Sequence, residues 1–356
     1  MNKKYVEILT PLLAVLTALI IGGIIIQLNG VNAFEAYGQL FKSAFYQANP
    51  KAPFMSGLAK TLLTATPMIF VGLSVMIAFK AGLFNIGAQG QVLAGGLAAV
   101  TIGAFVQNVI INNIVVVIII AALAGFLFSA FAGYLKAKLG IHEVITTIML
   151  NYIAGAFEQY CLNYPLKAGG PNGPSPQTPP VGELARLPLL MESTKVSLNF
   201  GFVIAIIAAI VIWFIFQKTV LGYEIKAVGH NLTSSENAGI NVKWILILTM
   251  GISGLLAGLA GAERVLGGIG QYTYKSGLMA SYGFDGIAVA LLGKNNPFGV
   301  ILAAILFGAL RVGGNAMQFN TEIPSQIIII IQSVIILLIA AENMFKALLT
   351  KKGGAK

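Results

Sequence analysis

Apolar runs of membrane-crossing length recur along this chain, parted by short polar intervals. A bilayer core about 30 Å thick takes about 20 residues of helix. At that length the pattern predicts ten helical spans, near 8–28, 57–79, 83–106, 109–135, 143–163, 199–217, 244–262, 278–293, 297–315 and 324–342. The third and fourth are separated only by Gln107 to Asn113, and the eighth is short, so eight to ten is the expected range. Two long intervals break the series. Residues 29–56 are amphipathic around Phe34 to Tyr46, a pattern suited to a helix lying along a membrane surface. Tyr164 to Asn199 holds seven of the thirteen prolines, which predicts an extended, stiff, exposed loop and no span.

The expected organisation is a single transmembrane domain over residues 1–356. It consists of a first span and amphipathic segment (1–56), a first helical half (57–163), the Pro-rich loop (164–198), a linking span (199–217), a polar loop (218–243), a second helical half (244–342) and a tail (343–356). By count of crossings, spans two to five start on one side and spans seven to ten on the other, which is the order of inverted four-helix repeats.

Composition agrees. The chain is 57% hydrophobic and only 10% charged, with mean hydropathy +0.85. A soluble domain carries about 25% charged residues, so an all-α polytopic membrane protein is expected and a soluble enzyme is not. The net charge of +10 does not point to nucleic acid, because the basic residues sit singly at the ends of apolar runs, where they set orientation. With the N-terminus inside, thirteen lysines from Lys3 to Lys356 face the cytoplasm. Nine basic residues fall outside, five of them in the two long loops where the rule has little force. Both termini are therefore expected in the cytoplasm. Lys3 and Lys4 precede a run longer than the roughly 7–15 apolar residues of a secretion signal, so the first span reads as retained. Cys161 has no partner for an intrachain disulfide, and His142 and His230 are too isolated to suggest a metal site.

Three places carry polar groups into apolar surroundings. Lys80 to Gln91 reads Lys-Ala-Gly-Leu-Phe-Asn-Ile-Gly-Ala-Gln-Gly-Gln, and runs on into Gly95 and Gly96. Its glycines permit close helix approach or a break, and Asn85, Gln89 and Gln91 need partners there, either as glue between helices or as a lining for a polar solute. Glu143 opens the fifth run, where the helix dipole favours a carboxylate. Thr147 and Asn151 follow it, again either path or glue. Asp285 lies within the eighth run and Arg311 in the ninth at comparable depth. A mid-helix charge costs roughly 2.5–3.5 kcal/mol on insertion scales, so an Asp285–Arg311 ion pair is expected, the alternatives being that Arg311 snorkels to the headgroups and Asp285 caps a broken helix. Glu263 and Arg264, adjacent at the end of the seventh run, read as interfacial.

The longest polar interval that reads as folded is Lys218 to Lys243. Asn231 suits a helix cap, Thr233 with Glu236 has the spacing of a capping box, and Gly239 suits a stop. A short capped helix between membrane spans is a handle for another protein. The chain has no Gly-x-x-x-x-Gly-Lys-Ser/Thr phosphate loop and no paired catalytic residues, so neither an ATPase nor another enzyme is expected here.

Three stretches together resemble a known family. Gly82-Leu-Phe-Asn-Ile-Gly-Ala-Gln-Gly-Gln91, Glu143-Val-Ile-Thr-Thr-Ile-Met-Leu-Asn-Tyr-Ile153 and Gly283-Phe-Asp-Gly-Ile-Ala-Val-Ala-Leu-Leu-Gly293 are similar to the permeases of ATP-binding-cassette importers. The branch is the one for branched-chain amino acids, ribose and other simple sugars, and the first two motifs resemble its nucleoside-type subgroup most closely. The resemblance runs from about Lys60 to Ala341. It implies a type II-like importer permease in a bacterial inner or plasma membrane. It also implies a second, typically different permease, a cytoplasmic ATPase that binds the ATP and Mg, and an extracytoplasmic substrate-binding protein. This chain itself would need no cofactor.

In that family the loop matching Gly222 to Val242 carries the coupling helix that seats in the ATPase. Gly229, His230, Asn231, Thr233, Ser234, Ser235, Glu236 and Gly239 occupy it here. Leu232 stands where a proline is often found, and Ser234-Ser235 where an alanine pair is usual. The expected function is uptake of a small polar solute, a nucleoside first and a simple sugar such as ribose second, by alternating access. Asn85, Gln89, Thr147 and Asn151 are the candidate path residues. The rival is an ion-driven secondary transporter, which would need a carboxylate relay from Asp285 or Glu158.

Overall fold

The computed structural model describes residues 3–46, 55–106, 108–170, 172–193, 196–268, 271–279, 281–321, 324 and 326–340. The described chain is helical. In order the helices are α1 (Lys3–Leu28), α2 (Ala33–Phe45), α3 (Ser56–Lys80), α4 (Ala88–Phe105), α5 (Ile114–Leu139), α6 (Glu143–Asn163) and α7 (Gly201–Lys218). There follow α8 (Val220–His230), α9 (Leu232–Asn237), α10 (Val242–Leu266), α11 (Tyr282–Leu292), α12 (Pro297–Thr321) and α13 (Gln326–Ala340). Each expected span coincides with one of these helices. By length and composition α3, α4, α5, α7, α10 and α12 are able to cross a membrane.

The eighth expected span is helical only over Tyr282–Leu292, 11 residues. At 1.5 Å per residue that is about 16 Å, roughly half a bilayer core. Left-handed residues bound it on both sides, Ser281 (φ 64°) before it and Lys294 (φ 53°) and Asn295 (φ 51°) after it, so the backbone cannot continue the helix.

The chain divides into two compact units, Ala65–Ala304 and the remainder. In the larger, α4, α5 and α10 cross at backbone distance. A β-carbon on Gly95 would overlap the Gly258 carbonyl oxygen, one on Gly125 would overlap that of Gly254, and one on Gly258 would lie 2.5 Å from that of Ala121. Apolar side chains gain little by leaving lipid for another helix, so contact of this closeness is what holds such helices together. From Met68 to Ala78, α3 is buried on nearly every side. There α11 seats against it through Gly72 beside Val289 and Gly286 beside Val71.

The Pro-rich loop departs from its expected exposure. It contains one 3-10 turn at Glu183–Ala185 and an antiparallel hairpin, β1 (Leu189–Ser193) with β2 (Val196–Asn199). Its backbone is tied to the connector between α10 and α11. Thr178 N–H donates to the Tyr274 carbonyl (3.0 Å), Val181 N–H to Tyr272 (2.8 Å) and Leu187 N–H to Leu266 (2.9 Å). Val181 and Ala185 are fully buried. Proline removes donors, but the residues between the prolines keep theirs and use them here.

Glu263 and Arg264 also depart from the interfacial reading, for both are buried. Asn199 Nδ2 donates to Glu263 Oε1 at 2.8 Å, and the Arg264 guanidinium lies 4.9 Å from the Tyr282 ring centre. The start of α7 closes over this end of α10, which the apolar pattern of α10 alone does not disclose.

The smaller unit, Met1–Thr64 with Ile305–Lys356, holds α1, α2 and α13. Asn32 caps α2, whose Ala36, Leu40 and Ala44 are buried while Phe34, Phe41 and Phe45 are exposed, the amphipathic face expected of this segment. The Tyr37 hydroxyl donates to the Leu19 carbonyl, and Thr61 Oγ1 to that of Ala44 at 2.7 Å.

Candidate functional site

The polar corner after α7 is built by successive caps. Thr219 Oγ1 accepts from Gly222 N–H at 3.2 Å and opens α8. Asn231 then serves two helices. Its N–H donates to the Ala227 carbonyl (3.1 Å) and closes α8, while its Oδ1 accepts from Ser234 N–H (2.9 Å) and opens α9. The helix thus starts at Asn231, and Thr233 already lies inside it, so the Thr-x-x-Glu spacing is not the cap. Gly239, at φ 83°, stops it, with Ile240 N–H reaching back to the Ser235 carbonyl at 3.1 Å. His230, Asn231, Thr233, Ser234 and Glu236 are exposed. Ser235 is not. It is 4% exposed, and its hydroxyl donates to the Asn231 carbonyl at 2.8 Å. The face that α9 offers is therefore Leu232, Thr233, Ser234 and Glu236.

The four candidate path residues come together around the turn and helix start at 85–91. The Asn85 Oδ1 accepts from Gly87 N–H (3.0 Å) and Gln91 Nε2 (2.9 Å), and its Nδ2 donates to Gln91 Oε1 (2.9 Å) and Ser253 Oγ (2.8 Å). That uses both lone pairs and both protons of the amide. Gln89 Nε2 donates to the Met279 carbonyl (2.7 Å) and its Oε1 accepts from Gly283 N–H (2.8 Å), fastening α4 to the start of α11. Asn151 Nδ2 donates to the Ile86 carbonyl (2.9 Å) while its Oδ1 accepts from Gly90 N–H (2.8 Å). Thr147 is fully buried and returns its hydroxyl to the Val144 carbonyl at 3.2 Å. In this conformation all four groups are engaged within the protein, with Gln89 tying α4 to α11 and Asn151 tying α4 to α6.

Sequence reasoning passed over Ser74 and Ser253. Their hydroxyls lie 3.0 Å apart, and Ser253 also donates to the Ser74 carbonyl at 2.7 Å, joining α3 to α10 beneath Asn85. A serine set among apolar residues within each of two helices was the available signal.

Asp285 belongs to the larger unit and Arg311 to the smaller, so their pairing stays a prediction. Elsewhere, Lys136 and Glu143 form an ion pair of 2.8 Å across the turn between α5 and α6, where Gly140 takes φ 68°. Tyr274, fully buried, donates its hydroxyl to Glu158 Oε1 at 2.8 Å. Burial, reinforced by the adjacent carboxylate, raises the Tyr274 phenol well above its ordinary range, so it remains the donor. An apolar cavity of about 720 Å³ opens between α4, α5 and α6, lined by residues such as Leu97, Leu127, Phe128, Phe157 and Cys161. Among the described residues no cluster of three or more His, Cys, Asp or Glu side chains is placed to hold a metal ion.

Packed apolar helices, a capped polar corner and amide ties across helix breaks define a multi-pass membrane protein. Residues 57–340 match the family model for the permease component of the branched-chain amino acid transport system, and the chain belongs to that family. It is 37% identical to the guanosine ABC transporter permease protein NupP of Bacillus subtilis, over the full length of both chains. It is 37% identical to the nucleoside ABC transporter permease protein NupB of Lactococcus lactis subsp. cremoris, covering all of this chain and 97% of the relative. The glucose ABC transporter permease protein of Haloferax volcanii is 31% identical over 95% of this chain and 88% of its own. No solved structure was found to match.

Proposed function

We propose that this chain is one permease of a nucleoside importer powered by ATP. The carrying observation is its full-length similarity, at 37% identity, to two permeases whose names specify guanosine or nucleoside transport. In this reading a second, different permease faces it across the solute path, and an extracytoplasmic binding protein delivers the nucleoside. A cytoplasmic ATPase holds ATP and Mg and grips α9, whose exposed Thr233, Ser234 and Glu236 form the contact. The location is a bacterial inner or plasma membrane with both termini cytoplasmic, as the lysine bias supports. Asn85, Gln89, Thr147 and Asn151 act at the path by exchanging some of their present bonds as α4, α6 and α11 shift between inward- and outward-open states. Vacating a protein partner in favour of a solute hydroxyl is nearly neutral in free energy, which suits passage better than retention.

Competition uptake tests the solute. In cells expressing the whole assembly, unlabelled nucleosides should abolish uptake of labelled guanosine, while ribose, glucose and leucine should leave it unchanged. Guanosine uptake displaced by glucose or leucine, or no guanosine uptake at all, refutes the nucleoside assignment.

A further inference from the structure

At the end of α8 the backbone lies directly on the turn that follows α3. A β-carbon on Gly229 would overlap the Lys80 carbonyl oxygen and come within 3.0 Å of the Ala81 carbonyl carbon. From the other side, one on Gly82 would lie 3.3 Å from the Gly229 carbonyl oxygen. This contact is main chain on main chain. No side chain lies between the two segments to absorb a displacement by changing rotamer, so moving one segment moves the other. A cleft of about 430 Å³, lined by Ala81, Lys136, His230 and Thr233 among others, opens beside this contact.

The turn that receives it is stiff. Gly82, at φ 71°, closes α3 with Leu83 N–H donating to the Ala78 carbonyl at 3.0 Å. Two residues further on, Asn85 fastens the turn to α4 through Gln91 and to α10 through Ser253, with no donor or acceptor left over. On the opposite side α9 has no slack either, because Asn231 alone joins it to α8 and is bonded to both.

We propose that Gly229 is a positioning residue for transport. A displacement of α9 passes through the Gly229–Lys80 backbone contact into the 80–85 turn, and from Asn85 into α4 and α10. This rests on the reading of α9 as the ATPase contact. The whole importer in proteoliposomes, with solute uptake and ATP hydrolysis measured on the same preparation, tests it. Gly229→Ala forces the two backbones apart. The ATPase should still co-purify, while nucleoside moved per ATP hydrolysed falls about tenfold. An unchanged ratio overturns the proposal, as does an equal fall in uptake and hydrolysis, the mark of general damage. If that variant does not assemble, Gly82→Ala, which needs a shift of a few tenths of an ångström at this contact and also strains the left-handed turn at φ 71°, is read by the same ratio. Its expected fall is about threefold, and no fall overturns the proposal. Ser234→Trp separates the two readings. Loss of ATPase co-purification supports α9 as the contact, whereas retention refutes that assignment, independently of the ratio in the glycine variants.

Discussion

Asn85 makes four hydrogen bonds with one side chain, and every partner is itself enclosed. Replacing it by leucine keeps the volume and removes the partners of Gln91 and the Gly87 N–H, while Ser253 keeps only Ser74. Hydrogen bonds between membrane helices average about 0.6 kcal/mol and reach about 1.7. Several lost together, with buried groups left unpaired, should cost about 2–4 kcal/mol. A fall of several degrees in the unfolding midpoint of the detergent-solubilised protein is the expected outcome, and an unshifted midpoint would remove Asn85 from the framework. The proposed Asp285–Arg311 pair is tested by exchange. Each single neutral variant should lose uptake, and the reversed pair Asp285→Arg with Arg311→Asp should regain part of it. No recovery, with both single variants correctly inserted, would contradict the pairing.

That Asn85, Gln89 and Asn151 need bonding partners was legible as amides set among apolar residues. Their partners were not. Asn151 and Gln89 bond the carbonyls of Ile86 and Met279, which are free because the helices break there. A side-chain pattern does not reveal which backbone groups a break releases. Ser235 taught the converse lesson. Its neighbour Ser234 has the same chemistry, yet one hydroxyl turns back to Asn231 while the other faces outward. One residue of helical rotation, about 100°, decides it.

At the scale of elements, the apolar pattern placed the helices but not their lengths of crossing. The run at 278–293 is mainly apolar, whereas helix occupies only Tyr282–Leu292, because Ser281 and Lys294 take left-handed conformations that composition does not announce. The Pro-rich loop was legible as no span, and its attachment to the α10–α11 connector was not, since the bonds run between main chains. Packing between helices makes a sharper prediction. Gly258→Leu puts a side chain where the Ala121 carbonyl oxygen stands 2.5 Å from the β-carbon position, at the crossing of α5 and α10. Overpacking of a tight site costs typically 1–3 kcal/mol, and here neither backbone is free to retreat. The yield of monodisperse protein should fall severalfold. Gly155→Ala, on α6 with nothing within 4 Å of the added carbon, should leave the yield unchanged and serves as the control. Equal yields from the two would mean that close backbone contact does not hold these helices.

For the molecule as a whole, span-length runs and scattered lysines were enough to read a multi-pass membrane protein, whereas only the three family motifs pointed to a permease. The three family motifs fall in the larger unit, where Asn85, Gln89, Asn151 and Gly283 are bonded to one another's segments. In this chain the motifs form one framework between helices. In the proposed function this framework is driven from outside the chain, through α9. The most direct measurement is guanosine uptake by the intact assembly under two treatments, vanadate to arrest an ATPase of this class and an uncoupler to collapse the ion gradient. Vanadate should abolish uptake, and the uncoupler should leave it unchanged while ATP is maintained. Uptake that survives vanadate and disappears with the gradient would contradict the proposed function and make the chain an ion-driven transporter.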